Sequence, residues 1–186
     1  MWQKIKMVCF AFGATVKPRN LNPEYKCSLF VQERGESSMN CRAMFATILY
    51  RLDGEPGMAS SSGIFDDVSP GQWYCNAVNW AVTCGIVKGV GNSKFDPDGN
   101  VTREQMAVML KNYSDYKKDT LRSGEETPPA YSSFKDVSKV SSWANASMKW
   151  AVENGLIKGT SIGLEPQATS TRAQVAQFIY NYTMVR

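Results

Sequence analysis

Twice in this chain a threonine and an arginine open the string Thr-Arg-x-Gln: Thr102, Arg103 and Gln105, then Thr171, Arg172 and Gln174. A guanidinium is a planar fork of donors that matches a carboxylate. Thr-x-x-Gln is a capping box, so each string should open a helix whose first N–H groups and positive dipole end also favour an anion. Ahead of each string, at like spacing, stand an aspartate (Asp67, Asp136), a tryptophan (Trp73, Trp143) and a glycine (Gly89, Gly159). Tryptophan has a broad apolar face that can cover the C–H face of a sugar ring, and carboxylates accept from hydroxyls. Arginine, tryptophan and carboxylate together suit an acidic saccharide. Each residue also has a plainer use: the aspartates as helix caps, the arginines as partners of nearby carboxylates, the tryptophans as core and the glycines as turn residues.

The spacing repeats because the chain does. Phe65-Asp66-Asp67-Val68, Trp73, Trp80-Ala81, Gly85-Ile86-Val87-Lys88-Gly89 and Phe95-Asp96-Pro97 return as Phe134-Lys135-Asp136-Val137, Trp143, Trp150-Ala151, Gly155-Leu156-Ile157-Lys158-Gly159 and Leu164-Glu165-Pro166. Phe134 follows Phe65 by 69 residues, Trp150 follows Trp80 by 70, and Thr171 follows Thr102 by 69. Both length changes fall where loops are expected. A partial third copy lies upstream: Cys41 to Leu52 matches the tail of each repeat, with Arg42 placed 61 residues before Arg103. Such units stack on their neighbours, usually three or more together. The organisation that follows is a degenerate first half-repeat at 1–39, the second helix of a partial first repeat at 40–53, a second repeat at 64–116, a polar linker at 117–130 and a third repeat at 131–186.

Each copy reads as helix, loop, helix. Ser69-Pro70 should open the first helix, with Trp73, Ala77, Trp80, Ala81 and Cys84 on one apolar face, and Gly85 should end it in a left-handed turn. Trp80 and Trp150, mid-helix, read as core. Ile86-Val87 reads as a short extended pair, and Pro97-Asp98-Gly99-Asn100 as a turn. The second helix carries Met106, Leu110 and Tyr113, matched by Val175, Ile179 and Tyr182. In the partial copy Cys41 and Met44 replace the capping threonine and glutamine, so its second helix should have the weakest start unless Asn40 caps it. The fold expected is all-α, a pseudo-threefold bundle of these units with short extended connectors.

Composition narrows the functional classes. The chain has 186 residues, 43% of them hydrophobic, enough for one core. Its net charge of +4 favours an acidic partner but is far from a nucleic-acid signature. No apolar run is long enough to span a bilayer. Lys4, Lys6 and the apolar stretch Met7 to Ala14 have the outline of a signal peptide, although the stretch is short and Phe12 fits a cleavage site poorly. Five cysteines without CxxC spacing argue against a disulfide framework or a zinc site. The chain has no histidine, so Gly159-Thr160-Ser161-Ile162-Gly163 cannot serve a Ser-His-Asp triad. Asp96-x-Asp98-x-Asn100 begins like a calcium loop but has Val101 and Ala107 where glycine and glutamate are required. No enzymatic activity, cofactor or metal is expected.

These repeated motifs resemble the S-layer homology family, closely over 64–113 and 131–182 and partially over 40–52. The resemblance implies a threefold helical module on the bacterial cell surface. It also implies non-catalytic anchoring of exported proteins to secondary cell-wall polysaccharides, often pyruvylated, in grooves between adjacent repeats. On that basis Arg42, Arg103 and Arg172, with Thr102, Gln105, Thr171 and Gln174, would hold the acid. Trp73, Trp143, Asp67, Asp136, Gly89 and Gly159 would shape the groove. The alternative is a protein–protein assembly module, homo-oligomeric or S-layer-like, that uses the same repeat faces.

Overall fold

In the computed structural model the residues described are 41–57, 63–121 and 128–186. Five α-helices run in the order α1 (Arg42–Leu52), α2 (Cys75–Thr83), α3 (Arg103–Lys117), α4 (Asn145–Glu153) and α5 (Arg172–Val185). Three single 3-10 turns, Tyr131–Ser133, Val137–Lys139 and Ser142–Ala144, precede α4. Among the described residues pairing of the β type is limited to isolated bridges, so the fold is all-α. The first-half expectations for residues 1–39, and a cap from Asn40, lie outside the described residues.

The second helices are as the capping boxes require. Thr102 Oγ1 accepts from Gln105 N (3.2 Å) while Thr102 N donates to Gln105 Oε1 (3.0 Å). Thr171 and Gln174 repeat both bonds at 3.3 and 3.0 Å. At α1 the N-cap is Cys41, which makes no side-chain cap bond.

The first helices are shorter than their apolar pattern suggests. Helix α2 begins at Cys75, five residues after Pro70, so Pro70 and Trp73 belong to the turns before it. Trp73 therefore leaves the apolar face assigned to it from the sequence; the face is made by Ala77, Val78, Trp80 and Ala81, all buried. Gly85 (φ +70°) and Gly155 (φ +68°) end the two first helices in left-handed geometry. Ile86 and Val87 follow at once, but as buried residues of a turn, with Ile86 N donating to the Ala81 carbonyl (2.7 Å).

The core is continuous across repeats. The second helix of one repeat packs on the first helix of the next, α1 on α2 and α3 on α4. Phe45, Leu49, Met106, Leu110, Val175 and Ile179 are all buried in it. The rings of Tyr113 and Tyr182, at equivalent places in α3 and α5, meet at 6.0 Å. Arg172 Nη1 reaches Met44 Sδ at 3.9 Å, bringing the third repeat onto the first.

Candidate functional site

The arginines of the first two repeats lie in the seams between repeats. Arg42 Nε donates to the Phe95 carbonyl (2.9 Å) and a terminal nitrogen, Nη2, to the Lys88 carbonyl (2.9 Å), both in the second repeat. Its guanidinium also lies over the Phe95 ring, 4.8 Å from the centroid. Arg103 does the same one repeat later with a single bond, Nε to the Leu164 carbonyl (2.7 Å). Burial lowers the pKa of both guanidinium groups, opposed by Asp96 and Asp67 at Arg42 and by Glu165 and Asp136 at Arg103. Both remain charged at neutral pH, because arginine starts so high. Arg172 is half-buried at the head of α5.

The helix tips of α1 and α3 are not open to an anion. Arg42 N donates to the Gly99 carbonyl (2.9 Å) and Ala43 N to that of Pro97 (3.0 Å). Arg103 N donates to Ala168 (3.0 Å) and Glu104 N to Pro166 (2.9 Å). The loop of the following repeat caps the helix of the preceding one. The expected gift of free N–H groups to a ligand carboxylate is thus corrected at these two helices: orphan donors at a buried helix end must be satisfied, and neighbouring carbonyls do so. Thr102, Gln105, Thr171 and Gln174 likewise direct their side-chain bonds into their own boxes.

Asp67 and Asp136 are neither helix caps nor open acceptors. Asp67 Oδ1 and Oδ2 accept from Phe95 N and Asp96 N, each at 2.8 Å. Asp136 accepts from Leu164 N (2.9 Å) and Glu165 N (2.8 Å). Each aspartate clamps the loop onto which the preceding repeat's arginine is fastened. Burial alone would raise their pKa, but the backbone N–H bonds prevail and hold both below the usual carboxylate range.

The tryptophans divide sharply. Trp80 is buried, while Trp150 is only half-buried beneath the ammonium of Lys111, 5.7 Å from its ring centroid. Trp73 and Trp143 are 59% and 57% exposed, an unusual state for so large an apolar surface. Gly89 and Gly159 are required by neighbours: a Cβ on either would lie 2.5 Å from Cε1 of Phe65 or Phe134, and Gly159 also sits at φ +76°. The structure thus brings Arg42 to Lys88, Gly89, Phe95 and Asp67, and Arg103 to Leu164, Glu165 and Asp136.

Several seam residues were missed from the sequence. Glu104 is buried at 4% exposure, and its two oxygens accept from Ser141 N (3.0 Å) and Ser141 Oγ (2.9 Å). Asn112 and Asn181 donate to the Ile86 and Leu156 carbonyls at 3.0 and 3.1 Å. At the far end of the bundle Asp53 accepts from Lys117 Nζ (2.6 Å) and Tyr113 Oη (3.4 Å). Asp119 accepts from Arg186 Nε (3.1 Å) and from Tyr182 Oη. The signal for most of these was repetition of polar residues: Asn112 and Asn181, and Tyr113 and Tyr182, are 69 residues apart, the offset of the capping boxes.

Comparison with known proteins agrees with this architecture. The chain is 36% identical over 138 residues to S-layer protein sap of Bacillus anthracis, covering 74% of this chain and 16% of that protein. It is 33% identical over 141 residues to exoglucanase XynX of Acetivibrio thermocellus, covering 75% and 12%. It is 34% identical over 116 residues to the surface-layer 125 kDa protein of Lysinibacillus sphaericus, covering 60% and 9%. The chain spans no more than 16% of the length of any of these three. The family model described as S-layer homology domain matches residues 64–107 and 133–176, the two complete repeats. With these two repeats, joined seam to seam by their arginines, the chain belongs to the S-layer homology family.

Proposed function

We propose that this chain is a non-catalytic anchoring module that holds a protein to the bacterial cell wall by binding an acidic, pyruvylated polysaccharide in the seams between repeats. One observation carries the reading. Repeat-equivalent arginines lie in the seams, and each of the two complete repeats keeps one large aromatic, Trp73 or Trp143, turned to solvent. A pyruvate ketal supplies a carboxylate for a guanidinium, and the sugar ring supplies an apolar face for an indole. The net charge of +4 favours approach of such a polyanion. S-layer and surface-layer proteins among the relatives support a place at the cell surface. The ligand is gripped by side chains rather than by the filled helix tips.

The test is sedimentation of the full chain with purified wall sacculi, before and after removal of the attached polysaccharide. Binding that is lost with the polysaccharide supports the reading. Binding that survives its removal turns attention to peptidoglycan or protein and ends the glycan account.

A further inference from the structure

The two seams are built alike in backbone and charge but not in free donors. Both arginines feel two carboxylates, Asp96 and Asp67 in one seam, Glu165 and Asp136 in the other. At Arg42, Nε and one terminal nitrogen are both engaged by carbonyls, and the ring of Phe95 covers one face. A carboxylate approaching that group end-on finds only one terminal nitrogen without a protein partner. At Arg103 only Nε is engaged. Both terminal nitrogens are without a protein partner, and neither is among the buried polar atoms sealed from water, which are Asn79 Oδ1, Trp80 Nε1 and Ser170 Oγ. That pair of parallel donors is the geometry a bidentate carboxylate needs. Leu164 replaces Phe95 here, so no ring competes for the guanidinium.

A second difference concerns the tryptophan. In the seam of Arg103, Glu104 fastens Ser141 by two bonds, and Ser141 immediately precedes the 3-10 turn that carries Trp143. The exposed indole is thereby tied to the helix turn that carries Arg103. In the seam of Arg42 the position of Glu104 is Ala43, which has no side-chain group to fasten the turn before Trp73.

We infer that the seam between the second and third repeats is the carboxylate-gripping one, with Arg103 as the bidentate contact, Trp143 as the ring platform and Glu104 as a positioning residue, whereas Arg42 is chiefly a tether. This assignment rests on the reading under Proposed function. The probe is a methyl hexopyranoside bearing a pyruvate ketal, titrated into the full chain while the arginine Nε and tryptophan indole NMR signals are followed. The signals of Arg103 and Trp143 should move together with one Kd, and those of Arg42 and Trp73 should move less. Arg103→Lys, which keeps the charge but not the fork, should weaken binding about tenfold or more. Glu104→Gln, which keeps an acceptor for Ser141, should bind more tightly than Glu104→Ala. Equal or larger shifts at Arg42 and Trp73, or wild-type affinity in Arg103→Lys, would overturn the assignment and leave seam binding standing. No shift at either seam, with no retention on sacculi, would overturn both.

Discussion

Single residues in this protein act mostly on loops. Asp136 receives two backbone N–H groups that nothing else nearby would satisfy. Asp136→Ala should cost about 2–4 kcal/mol, since each orphaned donor costs about 1–3 kcal/mol, as read by urea unfolding. The same clamps predict acid sensitivity. Asp67 and Asp136 have folded pKa values below their unfolded ones, because backbone bonds outweigh burial. Their stabilising effect is complete above the unfolded value, about 3.9, and is lost as pH falls through the lower folded value. Stability should therefore decline between roughly pH 4 and 2, and less steeply in the Asp67→Asn, Asp136→Asn double variant. Glycine is constrained as tightly: Gly159→Ala meets the ring of Phe134 and a left-handed φ, and should cost about 1–3 kcal/mol.

At the scale of elements, three second helices share one face pattern and differ at the start. The boxes at α3 and α5 are complete, and α1 has a cysteine in the capping place with extended backbone, φ −85° and ψ 163°. Thr171→Ala should cost about 1 kcal/mol, and Cys41→Thr should gain up to about 1 kcal/mol, both measured by thermal unfolding. Amide exchange should be fastest at the first turn of α1 only if the carbonyls of Pro97 and Gly99 fail to compensate for the missing cap. The two bonds at 3.0 and 2.9 Å make that compensation substantial. Helix starts here depend on the following repeat, so an isolated repeat should be poorly helical.

Across the whole molecule, the repeats are fastened at both ends of their second helices. At one end are arginine tethers and carbonyl caps; at the other are Asp53 with Tyr113 and Lys117, and Asp119 with Tyr182 and Arg186. Burial raises the pKa of Tyr113 and Tyr182, and at Tyr182 the bond to Asp119 adds to it. The unfolded phenols ionise near about pH 10 while the folded ones stay protonated. Stability is thus intact below that value and should fall as pH rises above about 10. A chevron or thermal series from pH 8 to about 11 checks this, with Tyr113→Phe and Tyr182→Phe together flattening the decline. Because core and latches run through all repeats, loss of one seam should be felt as a single cooperative transition.

Repetition, written in the order of residues, determined the number of complete units, the helical class, the two capping boxes and the glycine helix ends. These depend on local geometry: a threonine three residues before a glutamine, or a glycine after an apolar face, carries its own instruction. Tertiary structure decided what the polar residues touch. Arg42 and Arg103 are tethers because the following repeat's carbonyls arrive at their nitrogens, and Asp67 and Asp136 are loop clamps because two N–H groups 28 and 29 residues away fold onto them. Trp73 and Trp143 face water because α2 and α4 start after them, a boundary their helical spacing disguises. Periodicity reports what a helix would bury if it extended so far. Where it stops, and which buried donor meets which acceptor, is settled only when distant segments must satisfy one another out of water.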